Sequence, residues 1–461
     1  MTDTRSERDA LGERAVPADA YYGIHTLRAM ENFRISGVRT HPALITAIAQ
    51  VKLAAAQANT TLGRLSPTVG DAIQSAARDV IAGRLDAQFP LDAFQGGAGA
   101  ALNTNMNEVI ANRALEILGE PRGQYAIVHP ADHVNLGQSA HDVVPTALRL
   151  AMLARLAPLL QALAALEEAF RDRAQLFEPV VKAGRVHLQD GPPIRLGQEF
   201  GGYATAIGAH QSAIGDTRIA LRKLGIGGGA VGTGLDVHPE FRGLVTATLA
   251  EVTGEPLIPA PDLFDAMQSL RGFATVAAAL RGFAVELLRI CGDLRLLASG
   301  PNTGLSDIIL PVHQADVAGP LTASAPAMLE MMTMVCYHVV GADATVSLAA
   351  QAGQLEANVM TPVVAQALLP SIDTLARSVA VFIARCVSGI QADTDQCRRH
   401  AQHSAGLMMA VIPRFGAEQA AALGRQALAG HRSMADVLQQ GGMPAAEAET
   451  LLDVDRMSKP E

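Results

Sequence analysis

The sequence has 461 residues, of which 49% are hydrophobic and 18% are charged, and its formal net charge at pH 7 is −9. An acidic chain without a long basic run excludes nucleic acid and anionic membranes as the main partners. Single hydrophobic cores rarely grow beyond roughly 250 to 300 residues, so two or three domains are expected. The share of charge falls below the usual ~25%, which predicts apolar surface buried between subunits.

The N-terminal segment is polar, so the sequence predicts no signal peptide and a cytoplasmic protein. No run of 18 or more consecutive apolar residues occurs, and a membrane-spanning segment is not predicted. The four cysteines form no CxxC pair and match no zinc-site spacing, so neither a metal site nor a cofactor is predicted.

Three long segments with apolar residues at helical spacing dominate the chain, and strand signals are weak. The first covers residues 144–177, where Pro158 is expected to kink the helix without ending it. The second covers residues 262–299, and the third covers residues 326–369 with a break expected near Gly341. Helices of this length far exceed the usual ~11 to 12 residues. The predicted fold class is therefore all-α, with a long helix bundle.

A glycine-rich connector, Gly225–Gly234, separates the first two segments and contains a GxGxxG match. Dinucleotide binding requires this motif to follow a strand within a βαβ unit, and neither is predicted here. The connector is therefore interpreted as a loop. From about Cys397 the helical signals become short, which predicts a small C-terminal domain.

Seven long motifs occur in the order found in aspartate ammonia-lyases, from about residue 15 to about residue 455. They are Pro17–Gly37, Asn107–Gly119, His129–Ser139, Gly184–Asp190, Leu224–Leu235, Cys291–Pro301 and Gly353–Val363. Because several independent motifs keep their order, a chance match is negligible. The chain resembles the aspartase/fumarase superfamily and, within it, the aspartate ammonia-lyases.

The resemblance implies a three-domain fold and a homotetramer whose central helices form one twenty-helix core. The implied domains are an N-terminal helical domain (1–141), a central long-helix bundle (142–396) and a small C-terminal helical domain (397–461). Each active site in the family is built from three subunits and acts on a small molecule. The family chemistry is an anti elimination from a dicarboxylate, in which a serine on a mobile loop removes the Cβ proton.

The sequence departs from the family pattern in that loop. After Leu310–Ala315, the two family serines fall on Val317 and Ala318, and the lysine falls on Ala323. A shifted alignment would restore a serine at Ser324, but it cannot restore the lysine because the segment has none. The family's proton acceptor and one of its carboxylate ligands are therefore not found in their usual places.

Other positions that resemble the family's carboxylate-binding motifs have also lost hydroxyl groups. The family's GTSTN reads Gly99, Ala100, Ala101, Leu102, Asn103; STND reads Ser139, Ala140, His141, Asp142; and the threonine of GRTH is Val186, before His187. Leaving a charged group without partners in a dry site is costly. The changes therefore predict an apolar site and a substrate less anionic than a dicarboxylate.

Histidine titrates near neutrality, and an apolar pocket favours its neutral form, which a general base requires. His187 and His141 are therefore the predicted catalytic groups, with Ser139 as hydrogen-bond donor or proton relay. The predicted substrate-binding residues are Asn103, Leu102, Ala140, Val186 and Gln189. Alternatively, His187 and Asn103 only satisfy hydrogen bonds of the fold, a role also expected of Asp142.

Three functions stay open at this point. The first is a diverged lyase that carries out C–N or C–O elimination, or related chemistry, on a small and less anionic substrate. The second is a non-catalytic homologue that keeps the tetramer for binding or scaffolding. The third is an ordinary aspartate ammonia-lyase or fumarase.

Overall fold

The computed structural model describes residues 3–312, 326–430 and 432–459, and this part of the chain is predominantly helical. The helices are α1 Ile24–Asn32, α2 Pro42–Thr61, α3 Pro67–Ile81, α4 Ala100–Ile117, α5 Ala140–Leu176, α6 Leu196–Leu221, α7 Phe241–Thr253, α8 Leu263–Gln268, α9 Arg271–Leu297, α10 Ala327–Gln351, α11 Thr361–Arg385, α12 Thr394–His403, α13 Met408–Phe415, α14 Ala417–Gly430, α15 Met434–Gln440, α16 Ala445–Leu451 and α17 Val454–Met457. The predicted all-α fold class is confirmed.

The strands of the described residues form four two-stranded sheets. They are β1 Thr4–Asp9 with β2 Gly12–Pro17, β3 Val181–Val186 with β4 Gln189–Arg195, β5 Lys223–Leu224 with β6 Ile258–Pro259, and β7 Ile308–Ile309 with β8 Gln391–Ala392. The β5–β6 pair is parallel and the other three are antiparallel. Each sheet has only two strands and joins two short segments of a predominantly helical protein.

Two of the three predicted long helices need correction. Helix α5 continues through Pro158 as predicted, but residues 262–299 form two helices, α8 and α9. The break expected near Gly341 is wrong, because α10 runs unbroken to Gln351. The helical segment is interrupted only after Gln351. There, Asn358 Nδ2 donates to the carbonyls of Ala349 and Ala350 at 2.9 and 3.2 Å. These carbonyls lie in the last turn of the helix, where no intrahelical donor is left, so an asparagine ends the helix here.

The chain divides into two compact units. The first unit consists of Met1–Leu160, Ser212–Gly282 and His338–Leu375, and the second of Gln161–Gln211, Phe283–Tyr337 and Ala376–Glu461. The three-domain division of the sequence stays a prediction.

In the first unit, α2 packs against α3 and α7, and α3 packs against α4. Helix α2 is rich in alanine, and most of its side chains are buried. The small side chains let neighbouring helices surround it, so a polar residue in α2 is cut off from solvent.

In the second unit, an aromatic cluster of Phe170, Phe177, Phe200 and Tyr203 has ring centroids 5.0 to 6.0 Å apart. The β3–β4 hairpin is held by the chain that follows α12. Ser404 Oγ donates to the Gly191 carbonyl at 2.7 Å, and the Ala405 N–H donates to Asp190 Oδ2 at 2.9 Å.

Three described segments are long and apolar enough to cross a membrane by length and composition alone. They are α5 (Ala140–Leu176), α10 (Ala327–Gln351), and α11 together with the 3-10 turn that follows it (Thr361–Gly389). The most apolar window of Ala140–Leu176 is 72% buried within the chain, whereas that of Ala327–Gln351 is only 28% buried. Helix α10 therefore presents an apolar surface that the described residues of one chain leave uncovered.

Gly406 provides a test of the hairpin clamp. A Cβ at this position would lie 2.2 Å from the carbonyl carbon and oxygen of Gly191, and neither backbone can yield without breaking the clamp. Gly406→Ala is therefore expected to destabilise the protein by roughly 1–3 kcal/mol, as overpacking does, measured by thermal unfolding. The control Gly202→Ala replaces a helical glycine with nothing within 4 Å, and it should be neutral or stabilising. Equal melting temperatures for the two variants would contradict the proposed clamp.

Candidate functional site

The structure divides the residues predicted for the site between the two units. Ser139, Ala140, His141, Leu102 and Asn103 lie in the first unit, at or near the N-terminal ends of α5 and α4. The other three, Val186, His187 and Gln189, lie at the tip of the β3–β4 hairpin in the second unit.

The start of α5 is organised by Ser139 and Asp142. The His141 N–H donates to Ser139 Oγ at 3.2 Å, and the Ser139 N–H donates to Asp142 Oδ1 at 2.9 Å. This reciprocal pattern resembles a capping box and satisfies two N–H groups at the helix end. Within the part of the chain that the structure describes, the Ser139 hydroxyl accepts a hydrogen bond and donates none, so its own hydrogen is available for a ligand.

Asp142 also fixes the glycine-rich connector. Its Oδ2 accepts the N–H groups of Gly227 at 3.1 Å and Gly229 at 2.9 Å, and both glycines have positive φ, at 85° and 68°. The carboxyl group is fully buried. Burial raises the pKa of Asp142 to about 7, against the lowering effect of its backbone N–H partners. The connector amides are thus used within the chain, and Asp142 has the structural role expected for it.

The clamped connector places a carbonyl against His141. His141 Nδ1 lies 3.1 Å from the Ala230 carbonyl oxygen, which can only accept a hydrogen bond. We therefore assign the proton of a neutral imidazole to Nδ1, which leaves a lone pair on Nε2. His141 is partly exposed, so Nε2 can accept a proton from a ligand at the start of α5.

A buried lysine lies behind this segment. Lys52 of α2 is 0% exposed, and its Nζ donates to Asn135 Oδ1 at 2.7 Å and to Gln138 Oε1 at 3.0 Å. Asn103 Nδ2 donates to the same Asn135 oxygen at 3.1 Å, whereas its own Oδ1 is buried without a partner among the described residues. Burial lowers the pKa of Lys52 to about 7. Lys52 is not among the residues predicted for the site, although a lone lysine in an alanine-rich apolar helix is a signal of this kind of group.

Leu102 is oriented into a different cleft. Its side chain is buried and lines a pocket with Thr40, Leu44 and Val144, while its N–H donates to Gln95 Oε1 at 2.9 Å. The structure therefore joins Asn103, and not Leu102, to the segment that carries Ser139 and His141.

The hairpin tip in the second unit has an unusual backbone. His187 and Leu188 form a two-residue turn with φ of 56° and 59°, between the paired residues Val186 and Gln189. Positive φ is uncommon outside glycine and costs free energy when a bulky residue adopts it. Val186 and Leu188 are 63% and 71% exposed, and His187 is exposed as well. The apolar surroundings expected for His187 are therefore not provided by residues 3–312, 326–430 and 432–459 of one chain.

The base of the hairpin is rigid. Arg185 Nη1 donates to Asp307 Oδ2 at 2.6 Å, and Asp307 Oδ1 lies 2.9 Å from His400 Nδ1. Asp307 is fully buried, and Lys182 lies 3.6 Å from the same carboxylate. A strained, exposed tip is thus carried on a buried ionic network.

The loop substitutions at Val317, Ala318, Ala323 and Ser324 lie outside the described residues. Among the residues that the structure describes, no group of three or more His, Cys, Asp or Glu side chains could hold a metal ion.

Comparisons with known proteins bear on the class of this chain. A family model described as lyase matches residues 12–341. An aspartate ammonia-lyase from Bacillus sp is 41% identical over 460 residues, which cover 100% of this chain and 98% of that protein. The aspartate ammonia-lyase of Bacillus subtilis (strain 168) is 41% identical over 457 residues, which cover 99% and 96%.

Solved structures agree with this comparison. The crystal structure of a fumarate lyase:delta crystallin from Brucella melitensis bound to cobalt has a TM-score of 0.97 and 41% identity, and the match covers 99% of this chain and 100% of that one. A recombinant class II fumarase from Schistosoma mansoni has a TM-score of 0.96 and 31% identity, with 100% of both chains covered. Fold and sequence together define a lyase. The chain belongs to the aspartase/fumarase superfamily, as the sequence motifs predicted.

The lowered pKa of Lys52 predicts a pH dependence of stability. Between the native pKa of about 7 and the ordinary value of 10.5, only the unfolded chain keeps this lysine protonated. Unfolding then takes up a proton, so the contribution of Lys52 to stability rises with pH by up to roughly 1.4 kcal/mol per unit. Asp142 has an ordinary pKa of 3.8 and a native pKa of about 7, so its own effect on stability falls at pH values below this range.

Lys52→Met removes that dependence. The melting temperature of the variant minus that of the unsubstituted protein should be highest near pH 7 and should fall toward pH 10.5. Thermal unfolding at four pH values measures the trend, with the exposed Lys459→Met as control. If the melting-temperature difference between Lys52→Met and the unsubstituted protein stays constant from pH 7 to pH 10.5, the pKa of Lys52 is not lowered in the folded state.

Proposed function

We propose that this lyase eliminates a leaving group from a small substrate that carries less negative charge than a dicarboxylate, with His141 as the general base. The observation that supports the proposal is the contact between His141 Nδ1 and the Ala230 carbonyl at 3.1 Å, which leaves Nε2 free to accept a proton. The lost hydroxyls at Ala101, Ala140 and Val186 support the less anionic substrate, because a second carboxylate would lack donors.

The proposed step follows from the groups at the start of α5. His141 Nε2 takes a proton from the carbon next to the one that bears the leaving group. The C–H electron pair forms the C=C bond, and the C–N or C–O bond breaks with its pair on the leaving atom. The Ser139 hydroxyl donates a hydrogen bond to the group on which negative charge develops. The positive end of the 37-residue helix α5 favours the same charge.

We further infer that a second copy of the chain supplies His187. The β3–β4 tip is strained, exposed and apolar on both sides of this histidine, which are features of a segment that inserts into another molecule. In this arrangement His187 gains the dry surroundings that it lacks in one chain and acts on the leaving group, while Val186 and Gln189 contact the substrate.

The apolar surface of α10 supports a homotetramer. Met334, Tyr337 and Leu348 are 65%, 63% and 69% exposed, although they belong to a highly apolar helix. Obligate interfaces are large and apolar, and this surface has that character. A cytoplasmic tetramer that acts on a small molecule is the state we propose.

A second candidate is aspartate ammonia-lyase. It is favoured by the names of relatives that are 41% identical over nearly the whole chain. A third outcome is a homologue that binds a small molecule without turning it over.

An activity assay separates these functions. The purified protein is incubated with aspartate, and separately with a panel of amino and hydroxy monocarboxylates, and formation of the conjugated product and of ammonia is followed. We expect little aspartate turnover, because each missing donor costs roughly 10²–10³ in rate. Turnover of aspartate near the enzyme median of ~10 per second would establish the second candidate. Saturable binding of a panel compound without turnover would support the third.

On the substrate that is turned over, His141→Asn and His187→Asn should each abolish activity while the assembly and melting temperature stay nearly unchanged. Ser139→Ala should lower the rate less severely. The exposed His403→Asn, on α12, is the matched control. Full activity in the double variant at 141 and 187 would eliminate the proposed mechanism.

Light scattering tests the assembly. At micromolar concentration the expected mass is four times the 48.1 kDa of one chain, because the apolar surface of α10 must be covered. Leu348→Glu should lower the mass, since it places an unpaired charge in the interface. A stable monomer of the unsubstituted protein would contradict the homotetramer and the shared site together.

A further inference from the structure

A second cavity in the first unit lies away from the start of α5. It offers ≈ 670 Å³ of space, including the part open to solvent. Three cationic side chains line it, Arg149, Lys223 and Arg271, together with the carboxylates of Asp262 and Asp265. Neither Ser139 nor His141 belongs to its wall, so it is distinct from the proposed active site.

Arg149 is the buried charge of this cavity. Its side chain is 7% exposed, and Nη1 donates one long hydrogen bond, of 3.3 Å, to the Pro145 carbonyl. Nε has no partner, and the guanidinium forms no salt bridge within the described part of the chain. The group lies 4.9 Å from the centre of the Phe273 ring. A buried cation with so few partners costs free energy until an anion compensates it.

The two carboxylates of the wall are already engaged elsewhere. Asp262 Oδ1 accepts the N–H groups of Phe264 and Asp265 at 2.8 and 3.1 Å, which caps α8. Asp265 Oδ2 accepts from Arg271 Nη2 at 3.0 Å. Pairing Asp265 with Arg271 leaves Arg149 as the charge without a direct partner.

Lys223 adds a second cation at the solvent-exposed side. It is exposed, and its ammonium group forms no hydrogen bond or salt bridge with the residues that the structure describes. Desolvation lowers the pKa of Arg149 to about 10, so the guanidinium remains charged at neutral pH. A buried guanidinium and an accessible ammonium thus line one open cavity.

We propose that this cavity binds a small oxyanion, a carboxylate or a phosphate, between Arg149 and Lys223. The planar guanidinium offers parallel N–H donors that match two oxygens of such a group, and the ammonium contributes a less directional charge. Two sources share this chemistry, namely inorganic phosphate and a metabolite carboxylate. The site would let an anion stabilise the protein without occupying the centre where elimination takes place.

Thermal unfolding of the intact protein tests this second site. The melting temperature is measured against increasing inorganic phosphate and, in a separate series, increasing succinate, with sodium chloride keeping the ionic strength constant. Because a ligand that binds only the folded state stabilises it, we expect a saturable rise with one or both probes. A larger response to phosphate or to succinate identifies the source.

Three substitutions locate the effect. Arg149→Met should abolish the rise, and its melting temperature without anion should equal or exceed that of the unsubstituted protein, since an uncompensated charge is removed. Lys223→Met should shift the midpoint at least tenfold to higher anion concentration. Arg425→Met, which removes an exposed charge on α14, should leave the midpoint unchanged.

His141→Asn separates this site from the proposed active site, and it should keep the anion response. The inference is overturned if the unsubstituted protein shows no rise, if Lys223→Met keeps the original midpoint, or if His141→Asn loses the response. Should Arg149→Met fail to assemble, the Lys223→Met midpoint decides alone, because that side chain is exposed and its loss does not threaten folding.

Discussion

The buried carboxylate of Asp142 is the interaction on which the site in the first unit depends. It holds the N–H groups of Gly227 and Gly229, and it also caps the first turn of α5 through Ser139. One side chain therefore fixes a helix end and a loop relative to each other. Ala230 directly follows the bound Gly229, and its carbonyl lies 3.1 Å from His141 Nδ1.

In the second unit, the contacts at the base of the β3–β4 hairpin hold the strained turn at His187 and Leu188. The ionic network of Asp307, Arg185 and His400 and the clamp from the chain after α12 hold the base of the hairpin. The free energy spent in the left-handed backbone at His187 and Leu188 is offset by these buried contacts. The backbone of the turn that carries His187 is thus held in place by contacts within the same unit.

The start of α5 at Ala140, next to Ser139, could not be predicted, since the predicted segment begins only at residue 144. The helical class and the lyase family could be predicted from the sequence. Periodicity and long ordered motifs carry that information locally. The continuous α10 could not be predicted from Gly341, because a glycine is tolerated inside a helix and the real end depends on the side chain of Asn358, beyond the helix. The partnership of Lys52 with Asn135 joins residues 83 positions apart, and no local pattern reports such a contact. The exposure of His187 in one chain is consistent with the resemblance, which places this residue in a site shared between subunits, but no local sequence pattern shows which residues of another subunit would surround it.

That exposed turn has a genetic consequence. If the histidine of one copy completes the centre of another, a chain altered at 187 harms its neighbours and leaves its own remaining groups intact. In a cell that makes both altered and unaltered chains, each centre lacks this histidine with a probability equal to the fraction of altered chains, so the loss of activity is proportional to that fraction. Conversely, two defective alleles, one altered at His141 and the other at His187, would restore part of the function when expressed together. The phenotype would then depend on which chains are combined in an assembly and not on each polypeptide alone.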